Sequence, residues 1–138
     1  MTEPPSQTLS LKDLLDIVEK IEGRINSYWN FYTIALFAIA SWIFGSSITF
    51  NAWQAVIISM ALALFFASNL MFITINENRL EAIESEIRSV AEISRIESER
   101  FRKFLTSNLM PHRQKTSAVL HLFVDFVVIL FILGKGFH

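Results

Sequence analysis

The sequence predicts an all-α integral membrane protein with three transmembrane helices, an N-terminal amphipathic helix and a long charged cytoplasmic segment. Three observations predict this class. Apolar residues make up 52% of the 138-residue chain and charged residues only 18%. Asp, Glu, Lys and Arg are absent from Ile25 to Asn76. A further long apolar run covers residues 116–134. Such separation of charge from apolar residues is typical of a chain that meets both water and lipid.

The amino-terminal part divides into a tail and a helix. Residues 1–9 hold two of the three prolines and few groups that could pack, so we expect disorder there. Ser10 and Asp13 have the spacing of an N-cap and its acidic partner, and apolar residues then recur every three or four positions. This pattern predicts an amphipathic cytosolic or interfacial helix over 10–26. The chain lacks the basic start of a secretory signal, so this end is expected to be retained.

The uncharged stretch is too long for one membrane crossing, because about 20 residues span a hydrocarbon core of roughly 30 Å. We expect two spans, at 28–45 and 52–74, joined by a tight turn. Aromatic side chains stand where interfacial rings are preferred. They are Tyr28, Trp29 and Tyr32 at one end and Trp42 and Trp53 at the other.

Residues 76–110 are expected to form a charged cytoplasmic helical segment. A straight perpendicular helix over 76–105 would end about 45 Å from the membrane. The ten or so residues before Thr116 can return at most roughly 35 Å. The helix must therefore tilt, lie along the surface, or fold back near Ser89 to Ser98. A heptad-like seam also predicts a helical partner. Its residues are Leu80, Ile83, Ile87 and Val90.

The third span is expected at 116–134, followed by an external tail, 135–138. Eight Lys or Arg residues lie between the second and third spans, and three precede the first, whereas the hairpin turn has none and the tail has Lys135 alone. Short segments rich in Lys and Arg next to a span stay on the cytoplasmic side of the membrane. The amino terminus is thus expected in the cytoplasm and the carboxyl terminus outside, in a plasma membrane or bacterial inner membrane.

His121 and Asp125 are the leading functional candidates, because they lie one turn apart on the third span and Asp125 falls near mid-bilayer. They either clamp helices together or form part of an ion or proton pathway. Asn69 and His121 lie at the same depth, roughly 8 Å from the cytoplasmic ends of their spans, so a hydrogen bond between these helices is feasible. Asn51 and Gln54 add polar positions at the outer end of the second span.

Basic residues near the membrane form a second candidate site, for lipid headgroups or an anionic ligand. They are Arg100, Arg102, Lys103, Arg113 and Lys115. A net charge of -1 with interleaved signs argues against nucleic-acid binding. The chain has no cysteine, no glycine-rich phosphate loop and no paired metal-ligand spacing, so we expect neither an enzyme nor a cofactor.

The leading functional hypothesis is a homo-oligomeric channel or pore. Polar positions of the second and third spans would line the pathway, and the cytosolic helices would gate or sense, because self-assembly would shield Asp125 from lipid. The alternative is a non-conducting membrane anchor or accessory subunit that recruits a cytosolic protein partner. The layout of helix 10–26, hairpin 28–74 and charged segment 76–110 resembles the small membrane effectors of bacterial conflict systems. That resemblance implies membrane disruption as a further alternative.

Overall fold

A computed structural model describes residues 10–45, 50–93, 98–107 and 113–137 of the chain. These ranges are helical almost throughout and contain no strand, in agreement with the predicted all-α class. The predicted disordered tail 1–9, most of the hairpin turn and the last residue lie outside the described residues. The helices of the described part are α1 (Leu11–Gly45), α2 (Ala52–Ile93), α3 (Glu99–Thr106) and α4 (Arg113–Gly136).

Helix α1 begins at the predicted cap. The Ser10 hydroxyl accepts a hydrogen bond from the Asp13 backbone N–H at 3.2 Å, and Asp13 Oδ2 accepts from the Ser10 backbone N–H at 3.0 Å. The Ser10 hydroxyl also donates to Asp13 Oδ2 at 2.6 Å. These bonds satisfy donors that a helix start leaves unpaired, which is why the helix begins here.

The cap predicts a local pH dependence. Hydrogen bonds from Ser10 hold the pKa of Asp13 below its usual value of 3.8. A lowered folded-state pKa stabilises the folded turn above the unfolded pKa, and this contribution is lost as pH falls through the folded pKa. We expect amide exchange in the first turn of α1 to speed up below about pH 3.8 beyond its intrinsic pH dependence. Exchange measured by NMR checks this, and Asp13→Asn should abolish the extra response.

Two predicted boundaries are bridged by continuous helix. The amphipathic segment 10–26 and the span 28–45 are both parts of α1, and the second span runs on without a break to Ile93 at the end of α2. One physical reason is that no proline lies at either boundary, so the backbone hydrogen bonds there are not interrupted. The charged part of α1 and the charged part of α2 are therefore direct extensions of the apolar parts of the same helices.

The first half of α1 packs against the second half of α2 as an antiparallel hairpin. Leu80 of α2 is buried with Ile21 and Ile25, and Ile87 and Ala91 are buried with Leu14. Ile83 and Val90 pack beside these clusters. The heptad-like seam therefore has its partner within the same chain. A bundle of several copies is not needed to bury it.

The charged segment folds back on itself, the third of the arrangements that the length argument allowed. After Ile93 the chain reappears at Ser98, whose hydroxyl accepts from the Phe101 backbone N–H at 3.3 Å and caps α3. Leu105 of α3 is buried in the same cluster as Ile87 and Ala91. Residues 94–97 and 108–112 lie outside the described residues.

Helix α4 packs against the apolar half of α2, and an apolar cluster lies where the end of α4 meets the start of α2. Ile43, Ala55 and Ile132 are buried together there. A side chain on Gly136 would clash with the Cβ of Ala55, so glycine permits the close approach of α4 to the start of α2. The Lys135 ammonium donates to the Ile43 carbonyl at 2.8 Å, which ties α4 to α1 at the same end.

Within the described residues, α2 and α4 are the two helices long and apolar enough to cross a membrane. The second half of α1, residues 28–45, is less apolar at its beginning, because Tyr28, Asn30 and Tyr32 lower its mean hydropathy. Large apolar side chains point outward on all three helices. Phe37 is 70% exposed, Leu64 71% and Phe123 66%.

Candidate functional site

Four polar side chains from three helices meet in the interior; we call them the polar cluster: Tyr32, Asn69, His121 and Asp125. The Tyr32 hydroxyl donates to Asp125 Oδ1 at 2.7 Å. His121 Nδ1 lies 2.6 Å from Asp125 Oδ2, and Asn69 Nδ2 lies 3.2 Å from His121 Nε2. The Asn69 to His121 contact is the one that equal depth made feasible. The cluster thus links α1, α2 and α4 in one hydrogen-bonded chain.

Aromatic rings enclose the cluster. The Tyr32 ring stacks on the His121 ring with centroids 4.0 Å apart. Trp29 and Phe66 stand 5.8 Å and 6.4 Å from the same imidazole. His121 is fully buried and the Asp125 side chain is 10% exposed. Hydrogen bonds in such a place are electrostatically stronger than in water, and a lost partner is correspondingly costly.

The helical repeat explains how the chain assembles this site. His121 and Asp125 stand at i and i+4 of α4, so they share the face that α4 turns inward. Residues Phe66, Asn69 and Ile73 of α2 are likewise spaced by three and four, and all are buried. The polar side chains thus belong to the packing faces rather than to the outward faces.

A second group of polar side chains lies one helical turn nearer the start of α4; we call it the entrance cluster: Glu22, Glu77, Arg113 and Ser117. The Ser117 hydroxyl donates to Glu77 Oε1 at 2.7 Å. The Arg113 guanidinium lies 3.8 Å from Glu77 Oε1 and 3.4 Å from Glu22 Oε1. The Glu77 side chain is only 3% exposed. Its Oε2 is buried and has no hydrogen-bond partner among the described residues.

The two ends of the interior differ in chemistry. Arg113, Ser117, His121 and Asp125 follow one another at four-residue spacing along one face of α4, which is polar over three turns. Beyond Asp125, this face continues with Val128 and Ile132, which pack in the apolar cluster of Ile43 and Ala55. Polar groups therefore reach the polar cluster from the side of Arg113, and apolar packing lies on the opposite side.

The other predicted site residues take different positions. Asn51 and Gln54 form a capping box at the start of α2, with the Gln54 N–H donating to Asn51 Oδ1 at 2.8 Å and the Asn51 N–H to Gln54 Oε1 at 3.1 Å. They are exposed and far from the polar cluster. Arg113 belongs to the entrance cluster. The remaining predicted basic residues are exposed, Arg100, Arg102 and Lys103 on α3 and Lys115 on α4.

Sequence reasoning did not single out Tyr32, Glu77 and Ser117 as site residues. Tyr32 resembles the interfacial aromatics Tyr28 and Trp29, and nothing in the local pattern shows which of the three rings turns inward. A signal for Glu77 was present, since it directly follows the uncharged stretch and α2 continues past it. A carboxylate held at that boundary by continuous helix can be drawn into the packed interface.

The side chains of the polar cluster can donate and accept hydrogen bonds, and His121 and Asp125 are also acid–base groups. Within the described part of the chain, no group of three or more His, Cys, Asp or Glu side chains is placed to hold a metal ion. A scan against protein-family models, a search of curated proteins and a search of solved structures each gave no match.

Proposed function

We propose that this chain is an integral membrane protein with three spans, in which the second half of α1 joins α2 and α4 in the bilayer. The first half of α1, the second half of α2 and α3 lie in the cytoplasm, and the carboxyl terminus lies outside. The exposed Phe37, Leu64 and Phe123 support this placement, since large apolar side chains on every outward face suit lipid. The excess of basic residues on one side supports the orientation.

Within that placement we propose a non-conducting membrane anchor or accessory subunit that presents its cytosolic helices to a partner. The observation that carries this proposal is the shielding of Asp125 within one chain, through hydrogen bonds to Tyr32 and His121. Intramembrane polar groups paired in this way hold helices together. The channel hypothesis assumed that other copies of the chain are needed to shield Asp125 from lipid. The hydrogen bonds within one chain argue against that assumption. The apolar packing of Ile43, Ala55 and Ile132 also opposes a continuous polar path.

A homo-oligomeric channel or pore is the second candidate, and one observation favours it. Asp125 also borders an open groove between α2 and α4, whose walls include Ala67, Phe66, Leu122 and Phe126. A neighbouring copy seated along this groove would bring a helix to an ionisable group. Assembly in this way would allow a pathway between copies rather than through one chain. Membrane disruption, as in the effectors that the layout resembles, would likewise require assembly.

Reconstitution into liposomes tests these functions. We expect no proton flux and no release of an entrapped dye from the parent protein, and no change in Asp125→Asn or His121→Ala. Cross-linking in native membranes should capture a single copy, alone or joined to a different protein. A proton flux that Asp125→Asn abolishes, together with a ladder of cross-linked copies, would establish the channel instead. Dye release would establish membrane disruption.

A further inference from the structure

We propose that His121 and Asp125 together form a proton-binding site that takes up one proton from the side of the entrance cluster. The Asn69 amide turns over to accommodate that proton. This inference concerns the state of the site and holds whether or not the chain conducts.

The observed arrangement leaves a negative charge uncompensated. With Asn69 Nδ2 facing His121 Nε2, the amide donates and Nε2 accepts. The imidazole proton is then on Nδ1, which donates to Asp125 Oδ2. The Tyr32 hydroxyl donates to the other carboxylate oxygen. In this state Asp125 is an anion whose partners are both neutral, and its exposed edge faces an apolar groove. An uncompensated charge in such surroundings is costly.

Adding one proton removes that charge. The proton forms a new bond on the pair, either as imidazolium beside carboxylate or as neutral imidazole beside carboxylic acid. In both forms His121 Nε2 carries hydrogen and must donate, so Asn69 must present its Oδ1 instead of its Nδ2. An asparagine amide can meet either need, because rotation about its last bond exchanges a donor for an acceptor at the same place. The Asn69 amide can therefore hydrogen-bond to His121 Nε2 both before and after the pair takes up the proton.

The groups around His121 include two that can bind the proton, His121 and Asp125, and one nearby carboxyl group that can relay it, Glu77. From α1, the Tyr32 hydroxyl faces Asp125 and stays protonated as its donor. From α2, Asn69 faces the ring and carries no charge, while Glu77 stands two turns further along the helix. From α4, Asp125 and, two turns away, Arg113 complete the set. His121 and Asp125 thus share the transferable proton, and Glu77 is the nearest carboxyl group outside the pair along this face.

Glu77 is placed to pass the proton inward. One carboxylate oxygen accepts from the Ser117 hydroxyl, one turn of α4 before His121. The other, Oε2, is buried and unpartnered within the described residues, so it is the free acceptor of a carboxylate whose Oε1 lies beside the partly exposed Arg113. On the far side of Asp125, Ile43, Ala55 and Ile132 pack together, and the polar groups described there, the buried Ser59 hydroxyl and Lys135, include no carboxyl group. Loading from the Glu77 side follows from this asymmetry.

NMR of the imidazole nitrogens tests the site itself. We would label histidine with nitrogen-15 in nanodisc-embedded protein carrying His112→Gln and His138→Gln, so that His121 alone reports. Between about pH 9 and about pH 4, Nε2 should change from an unprotonated to a protonated nitrogen. Asp125→Asn should remove this change, or shift its midpoint by at least one pH unit, roughly a tenfold change in proton affinity. An Nε2 signal that keeps one protonation state throughout would overturn the proposal.

A pH jump tests the route. With Trp42→Phe and Trp53→Phe, the remaining Trp29 lies 5.8 Å from the His121 ring, and its emission should follow the loss of charge at the site. Glu77→Gln should slow loading about tenfold or more. Glu81→Gln, one turn further along α2 at an exposed position, should leave the rate unchanged. Equal rates in the two variants, with the NMR change intact, would overturn entry through Glu77.

Discussion

Replacing Asp125 with alanine is expected to destabilise the three-helix assembly by about 3–5 kcal/mol, the largest effect of any single change in the polar cluster. The substitution leaves the Tyr32 hydroxyl and His121 Nδ1 buried without their partner. Each orphaned group costs about 1–3 kcal/mol. Reversible unfolding in mixed micelles, driven by an increasing fraction of a denaturing detergent, measures the difference.

Two comparisons make this expectation specific. Val127→Ala lies two residues along α4 at a position that is 49% exposed, and it should cost no more than about 1 kcal/mol. Combining Asp125→Leu with His121→Leu, Asn69→Leu and Tyr32→Phe removes the polar groups of all four side chains, and it should recover most of the lost stability, as buried polar groups replaced together often do. If Asp125→Ala costs no more than Val127→Ala, the cluster does not hold the helices together.

Replacing Leu80 with alanine is expected to lower the free energy of unfolding by about 2–5 kcal/mol. It should also loosen the packing of the first half of α1 against the second half of α2. Leu80 is 2% exposed and contacts the core made by Ile21 and Ile25 of α1. The cavity should release the first half of α1 from α2, because no other part of the described chain covers that face as fully. Unfolding monitored by circular dichroism gives the energy, and limited proteolysis shows whether the amino-terminal half of α1 becomes cleavable.

The matched control lies on the same helix. Ile93 has a similar side chain but is 85% exposed, so Ile93→Ala should change stability by no more than about 0.5 kcal/mol. Protection of α1 should also be unchanged. The oligomeric state provides a further readout. If Leu80→Ala dissociates a complex of several copies without freeing α1, the heptad-like seam pairs between chains, contrary to the arrangement described above.

Several parts of the architecture were accessible from local pattern. Ser10 and Asp13 predicted the start of α1 because a capping box depends on residues three apart in the chain. Chain length predicted that the charged helix tilts, lies along the surface or folds back, because the ten or so residues before Thr116 cannot return from the end of a straight perpendicular helix. The pairing of Asn69 with His121 was made feasible by equal depth. Each of these needs only distances along the chain or from a boundary.

Other features were beyond such reasoning. Leu80 and Ile87 indicated a helical partner, but periodicity shows that a face must be covered and not which chain covers it. Tyr32 looked like a neighbour of the interfacial aromatics, and its bond to Asp125 joins residues 93 positions apart. Asn51 and Gln54 were expected among the pathway residues, and the capping box that they form at the start of α2 was not predicted.

By itself, the sequence determined that the chain is helical, where its apolar runs lie, and that His121 and Asp125 share one face of α4. These follow from helical periodicity and from the cost of exposing apolar groups to water, which act locally. Only the tertiary structure decided that α1 covers the seam of α2 and that Tyr32 completes the polar cluster. It also placed Glu77 beside Ser117. Those outcomes depend on how helices rotate about their axes to satisfy buried groups on one another, which no single helix encodes.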